Sequence, residues 1–334
     1  MTEFKHGGDI ESFAKEAACA IEDVIDLSSN INFVKPRLNI DFNQLEISSY
    51  PNYKGLYAKL AAFYGIKSDE LELFNGASSG IFSLFRFLNL KKATIYSPAY
   101  LEYKKAAGIF GYELNMIDRF NNMDKPVSKN SFVIFVNPAT PDGLYYDLEK
   151  LMESWVNVDA SILIDESFLD FSQMSSASRY LQDYSKLYIL KSTTKFWAAA
   201  GVRIGIIISQ SGNIFSIKNQ EPLWKVSAFD FAYLEAALDD KGFIKRSYDA
   251  NARAKKMLLN IVSRSRWVKK VFPSDANYVL LELNQSAQDF QDKLTPYKIL
   301  IRSCENFDGL GANHVRIAVK SNSELEVLKQ ALNA

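Results

Sequence analysis

Residues 190–205 read LKSTTKFWAAAGVRIG, and Lys195 is the residue in this run that could do covalent chemistry. A lysine amine forms an imine with an aldehyde when it is held at one spot and is neutral part of the time, which a half-buried, charge-crowded cleft achieves. The apolar run LYIL precedes it, so Lys195 is expected at the C-terminal edge of a parallel strand, where open α/β sheets bind ligands. Ser192 just before it and Arg203 just after it suit an anion beside the amine. Taken singly, the lysine and the arginine read as ordinary solvated cations.

Three further stretches change that reading. NGASSG places Ala77 and Ser78 at a strand-to-helix junction, where free backbone N–H groups and hydroxyls suit a phosphate. It matches neither the P-loop nor the dinucleotide fingerprint, and a plain helix cap explains it equally well. ILIDESFLDF puts Asp165 at the end of an apolar strand. A carboxylate there is costly unless paired; a pyridinium nitrogen is one partner, a helix N-terminus another. SPAY sets Tyr100 after a third strand, its ring available for stacking on a flat cofactor or for core packing. Together these are an imine lysine, a carboxylate for a ring nitrogen, a stacking aromatic and a phosphate cup, the parts that pyridoxal 5′-phosphate requires.

The elements that must position these residues follow from the pattern around them. Short apolar runs alternate with helical stretches: ELELF then a helix 77–88, ATIYS then 101–110, FVIFV then 148–155, followed by SILID, LYIL and RIGIIIS. Nearly continuous apolar strands in such alternation predict an α/β fold with a mostly parallel sheet covered on both faces. Beyond residue 240 the order changes to a helix over 250–263, then WVKKVF, NYVLLEL, a helix 286–294, KILIR, HVRIAV and a last helix, a compact α+β unit. The expected organisation is an N-terminal segment 1–40 packing on the small unit, a large domain 41–240 and a small C-terminal domain 241–334.

Lysine plus arginine equals aspartate plus glutamate at 39 each, so no net charge draws the chain to nucleic acid or anionic lipid. No apolar run is long enough for a membrane helix, and MTEFKHGGDI lacks a signal-peptide centre, so a cytoplasmic location is expected. Cys19 and Cys304 are too few for a disulfide framework and lack metal spacing. With His6 and His314 the only histidines, neither a zinc site nor a Ser/His/Asp triad is expected, and no metal is assigned.

STTKFWAAAGVRIG resembles the lysine signature of the fold-type I aminotransferase superfamily, and the resemblance runs from HGGDI to HVRIAVK. Within it the chain resembles the histidinol-phosphate aminotransferase group. It is most similar to threonine-phosphate decarboxylases of cobamide synthesis, through HGGDI, IDLSSNINF, SYPNYKGLYAKL, DESFLDF and ILIRSCENFDGLG. The resemblance implies a seven-stranded, mostly parallel sheet in the large domain. It implies that Lys195 forms the imine and moves protons, Asp165 pairs with the pyridinium nitrogen, and Tyr100 stacks on the ring. Ala77, Ser78, Ser192 and Arg203 would hold the cofactor phosphate, and Tyr50 would reach that of the neighbouring subunit in a homodimer with shared sites. Arg316 matches the arginine for a substrate carboxylate; His6, Asn32 and Arg302 match positions for its anionic end.

Two positions depart from the pattern. Thr140 in NPATPDG stands where an asparagine usually bonds the cofactor's phenolic oxygen, and Phe168 where many relatives have a tyrosine. A phenolate so deprived predicts a raised imine pKa, unless the nearby Asn137 compensates. The activity expected is decarboxylation of a small phosphorylated amino acid, O-phosphothreonine or O-phosphoserine, with transamination of the histidinol-phosphate type as the alternative. A catalytically silent interaction module is disfavoured because Lys195, Asp165 and Arg203 are all present.

Overall fold

The computed structural model describes residues 7–334. From the N-terminus come helix α1 (Ile10–Glu16), strand β1 (Ile25–Asp26), α2 (Lys54–Tyr64), β2 (Leu71–Asn75), α3 (Ala77–Leu88), β3 (Lys92–Ser97), α4 (Glu102–Ile109) and β4 (Glu113–Asp118). Then follow β5 (Phe132–Val136), α5 (Glu149–Asn157), β6 (Ser161–Asp165), β7 (Leu187–Ser192), the one-turn α6 (Thr193–Phe196), β8 (Ile204–Ile208), α7 (Ser211–Lys218), α8 (Ala228–Leu238) and α9 (Phe243–Val262). The C-terminal part holds β9 (Val268–Val271), β10 (Tyr278–Leu283), α10 (Ala287–Leu294), β11 (Ile299–Leu300), β12 (Arg302–Ser303), β13 (His314–Ala318) and α11 (Asn322–Asn333).

The large sheet has seven strands in the order β2-β8-β7-β6-β5-β3-β4. β7, β6, β5, β3 and β4 run parallel, and β8 is antiparallel to both of its neighbours, β7 and β2. Every residue of β5, β6 and β8 is buried, which is why FVIFV, SILID and IGIII lack alternation: both sheet faces are covered. One face packs Phe135, Trp155, Leu60 and Phe196; the other packs Phe74, Phe85, Tyr103 and Ile134. Truncating a fully buried ring such as Phe135 to alanine costs about 3–5 kcal/mol in such a core.

A four-stranded antiparallel sheet, β12-β13-β10-β9, carries its own core around Leu258, Phe290 and Leu325. Its helices α10 and α11 each start with a capping box, Ser286 with Asp289 and Ser321 with Glu324. β1 pairs in parallel with β11, so the N-terminal chain joins this layer.

Several elements differ from expectation. KILIR, read as one strand, divides: Ile299–Leu300 pairs with β1, while Arg302–Ser303 turns to pair with β13. Between them the Ile301 N–H leaves both ladders and donates to Gln291 Oε1 at 3.0 Å. The helix expected over 250–263 begins earlier, at Phe243, because its polar outer face hides the Phe243, Ser247, Asn251 and Ala254 stripe that faces inward. Among the described residues no helix is long and apolar enough to cross a membrane.

Candidate active site

Parallel direction gathers the candidate residues at one sheet edge. β3, β5, β6 and β7 end there, delivering Tyr100, Thr140, Asp165 and Ser192 with Lys195; antiparallel β8 starts there, delivering Arg203. They line a cleft of about 230 Å³ together with Ala77, Ser78, Phe168, Arg302 and Arg316. Two glycines make the close approaches possible. Gly76 caps α3 at φ +81°, and a Cβ there would lie 2.5 Å from Arg203 Nη2. At Gly205 a Cβ would meet the Ala77 backbone nitrogen at 2.3 Å, so β8 and the start of α3 can touch only without a side chain.

The N-cap Gly76 offers α3 no side-chain hydrogen bond. The first-turn N–H groups, with Ser78, Ser192 and Arg203 around them, therefore form an anion cup. Ser78 Oγ lies 3.3 Å from the Tyr100 hydroxyl. Asp165 is held at both oxygens: the Ser167 N–H donates to Oδ1 at 2.8 Å and the Tyr103 hydroxyl donates to Oδ2. Burial nevertheless raises the Asp165 carboxyl above its ordinary range, the condition of a carboxylate awaiting a cationic partner. Lys195 is shifted the other way: burial, then the positive charges of Arg316 and Arg203, lowers its amine to about 8. Such an amine is neutral part of the time near neutrality.

The same cleft also holds two buried guanidinium groups. Arg316 donates from Nη1 to Thr140 Oγ1 and from Nη2 to the Ser28 carbonyl, each at 3.2 Å, while its buried Nε has no partner among the described residues. Arg302 donates to Asn306 Oδ1 at 2.9 Å and lies over the Phe307 ring. Burial and the neighbouring Arg316 lower Arg302 to about 10, still cationic at neutral pH. Gly7, Ser28, Ser29 and Asn30 complete this wall, and Asn30 Oδ1 is buried without a partner among the described residues.

Some expected residues are not in the cleft. Asn32 lies two positions beyond the residue that lines it, and its amide is consumed elsewhere, by the Phe196 carbonyl, Ser247 Oγ, Val34 and Asn251. Asn30, two positions earlier in the same IDLSSNINF motif, lines the cleft instead. Asn137 does not compensate for Thr140, because its amide exchanges two hydrogen bonds with the Tyr146 backbone. Tyr50 is 74% exposed, stacked on Trp224 and away from its own chain's cleft. His6 falls outside the described residues. Phe168 lines the cleft with its ring edge-on to Tyr278 at 4.9 Å.

Other contributors were not anticipated. Tyr103 and Ser167 hold Asp165, and Phe307 walls the arginine end. Arg119, buried just past β4, bonds Asp142 through both Nη atoms and donates to the carbonyls of Pro98 and Thr140, fastening the Tyr100 and Thr140 loops together. Ser167 lies within DESFLDF, but nothing local marks Tyr103 or Arg119, which reach their partners only in the folded chain.

The donor set fits pyridoxal 5′-phosphate: an uncapped helix terminus for the phosphate, a buried carboxylate for the ring nitrogen, an aromatic ring, and a lysine of lowered pKa in one cleft. The chain is 28% identical to an adenosylcobalamin biosynthesis bifunctional protein of Leptospira interrogans, over 96% of this chain but 40% of that longer protein. It is 26% identical to a threonine-phosphate decarboxylase of Salmonella typhimurium, covering 98% of this chain and 95% of the relative. Among solved structures, the histidinol-phosphate aminotransferase from Clostridium acetobutylicum superposes with a TM-score of 0.81 at 28% identity, covering 92% of this chain and 97% of the other. Residues 22–334 match the family model described as aminotransferase class I and II, and the chain belongs to that pyridoxal-phosphate-dependent family.

Proposed function

We propose that the protein decarboxylates an O-phospho-L-amino acid, O-phosphothreonine or O-phosphoserine, to the amino-alcohol phosphate and carbon dioxide. The observation that carries this reading is the pair Arg302 and Arg316, set as cross-strand partners at the end of the cleft that also holds Lys195 and Asp165. Two guanidinium forks side by side suit a substrate that bears two anionic groups at once, a carboxylate and a phosphate.

When bound, pyridoxal 5′-phosphate supplies an electron sink for the pair left at Cα when a bond there breaks. Lys195 anchors the cofactor and carries a proton at Nζ. Asp165 sets a negative charge against the ring nitrogen, and Tyr103 and Ser167 keep that carboxylate aimed. The first turn of α3 with Ser78, Ser192 and Arg203 takes the cofactor phosphate, and Tyr100 offers its ring. Arg316 takes the substrate carboxylate, while Arg302 with Asn30 takes the phosphorylated end. These contacts would choose the reaction by fixing the orientation of the substrate's Cα. Phe168, Phe307 and Ile81 narrow the access of water.

The second reading, transamination of the histidinol-phosphate type, is supported by the likeness to the Clostridium aminotransferase. Histidinol phosphate carries a single anionic group and engages one arginine, whereas a phospho-amino acid engages both. The dicarboxylate partner of a transamination would also fill both, so the products decide between the readings. The deciding experiment incubates the purified, cofactor-loaded protein with phosphothreonine, phosphoserine, or histidinol phosphate plus 2-oxoglutarate. Carbon dioxide release from a phospho-amino acid is expected; amino transfer to 2-oxoglutarate without it sinks the decarboxylase reading.

The assembly proposed is a homodimer with shared sites. Ile47, Tyr50, Leu223, Trp224 and Phe229 are large apolar side chains that stand exposed, and Tyr50 and Trp224 stack at 4.1 Å. An exposed aromatic group of this size suits burial against a second copy of the chain.

A further inference from the structure

α6, which carries Lys195, is a single turn of four residues, closed by the N–H groups of Trp197, Ala198 and Ala199 on the carbonyls of Thr193, Lys195 and Thr194. Asn32 adds donors from outside the turn. Its backbone N–H donates to the Lys195 carbonyl at 3.0 Å, and its Nδ2 donates to the Phe196 carbonyl at 2.8 Å and to Ser247 Oγ at 2.9 Å. Its Oδ1 accepts from the Val34 N–H and from Asn251 Nδ2, each at 3.1 Å, while Asn251 also donates to the Ser247 carbonyl at 2.9 Å. All three side chains are buried: Asn32 is 3% exposed, Ser247 0% and Asn251 7%.

This network has a direction. Ser247 and Asn251 sit on α9, Asn32 on the N-terminal segment, and Lys195 on the rim of the large sheet. Two residues before Asn32, Asn30 lines the cleft. We infer that Asn32 is a positioning residue: it clamps the turn bearing Lys195 to α9 and, through the short backbone from Asn30 to Asn32, ties the placement of the lysine to the wall that receives the substrate's anionic end. Only a carboxamide of this length gives two donors and an acceptor at once. Aspartate of the same shape would face the Phe196 carbonyl with a second acceptor.

The inference rests on Lys195 anchoring the cofactor, not on which Cα bond is cleaved. Its test uses Asn32→Asp and Asn32→Ala in the cofactor-loaded protein. Three readouts are taken: the pH midpoint of the lysine–cofactor absorbance, kcat and KM, and Tm. A displaced lysine shifts the absorbance midpoint by roughly half a pH unit or more. It lowers kcat roughly 10- to 100-fold, while KM for the phosphorylated substrate stays within about threefold, since no substrate contact is removed. Asn30→Ala gives the opposite split, with KM raised. Asn251→Ala leaves all three of Asn32's donations in place and shifts the midpoint in the same direction by less.

A folded Asn32→Asp with the wild-type midpoint and kcat overturns the inference. Where Asn32→Asp does not fold, Ser247→Ala and Asn251→Ala decide on the same absorbance, and unchanged midpoints in both overturn it. Because the absorbance needs no substrate, a protein inactive on every phospho-amino acid sinks the decarboxylase reading and leaves this result standing.

Discussion

Arg302 and Arg316 are direct register partners on the antiparallel strands β12 and β13. Like charges placed opposite one another in a sheet destabilise it unless an anion lies between them. On the proposed reading, phosphate or phosphothreonine held by the two guanidinium groups would offset that repulsion. At about 100 times Kd the anion would contribute roughly 2.7 kcal/mol, a Tm rise of about 4 °C for a chain of this size. Arg302→Gln is expected to leave the ligand-free Tm unchanged or higher and to remove at least half of the rise. Thermal melts with and without phosphothreonine check it, and a full rise in Arg302→Gln counts against the paired-arginine site.

Lys195 gives a pH prediction. Burial and the flanking arginines lower its amine from the ordinary 10.5 to about 8. Between those values the unfolded chain holds the proton and the folded one does not, so ligand-free stability gains from this group as pH rises from about 8 to about 10.4. Cofactor uptake needs the neutral amine, so its rate climbs toward pH 8 and levels above it. Rapid-mixing absorbance of the apoprotein with pyridoxal 5′-phosphate measures this. A rate still climbing beyond pH 10 shows an ordinary lysine, and Lys195→Ala should abolish the absorbance change.

Which parts of this were legible in the sequence depended on what decided each position. Lys195, Asp165 and Tyr100 follow strands buried on both faces, so their apolar runs announce both the strand and its end. β4 was not read because it is an edge strand with one buried residue, Ile117. α8 is apolar nearly all round and shows no stripe. Asn30 and Asn32 are the same residue type in one motif, and only distant partners, the Phe196 carbonyl and Ser247 for one and the open cleft for the other, separate their roles. Asn137 misled for the same reason: its partner is a backbone group of Tyr146 that the motif does not contain.

Tyr103 tests the aim of Asp165. Its hydroxyl donates to Oδ2 deep in the core, 62 positions away in sequence. A hydrogen bond to a charged group is worth about 1.5–3 kcal/mol, so Tyr103→Phe should lower kcat/KM roughly 10-fold or more. Asp165→Asn, which removes the charge itself, should cost roughly 100-fold or more. Steady-state kinetics on both variants check the order; a Tyr103→Phe enzyme of wild-type kcat/KM shows that Ser167 alone holds the carboxylate.

The shared-site dimer makes a prediction that geometry within one chain does not. Tyr50 stands exposed beside Trp224, away from the cleft of its own chain. If Tyr50 completes the partner's phosphate cup, Tyr50→Ala and Lys195→Ala each impair every site in their own homodimers. A mixed dimer places the intact Lys195 of one chain with the intact Tyr50 of the other, restoring one of its two sites. With half of the dimers mixed, an equimolar sample allowed to exchange subunits regains about a quarter of wild-type turnover. Sedimentation should give twice the 37.8 kDa chain mass for wild type. A monomer, or a mixture no more active than the sum of its parts, would show that each chain works with its own residues alone.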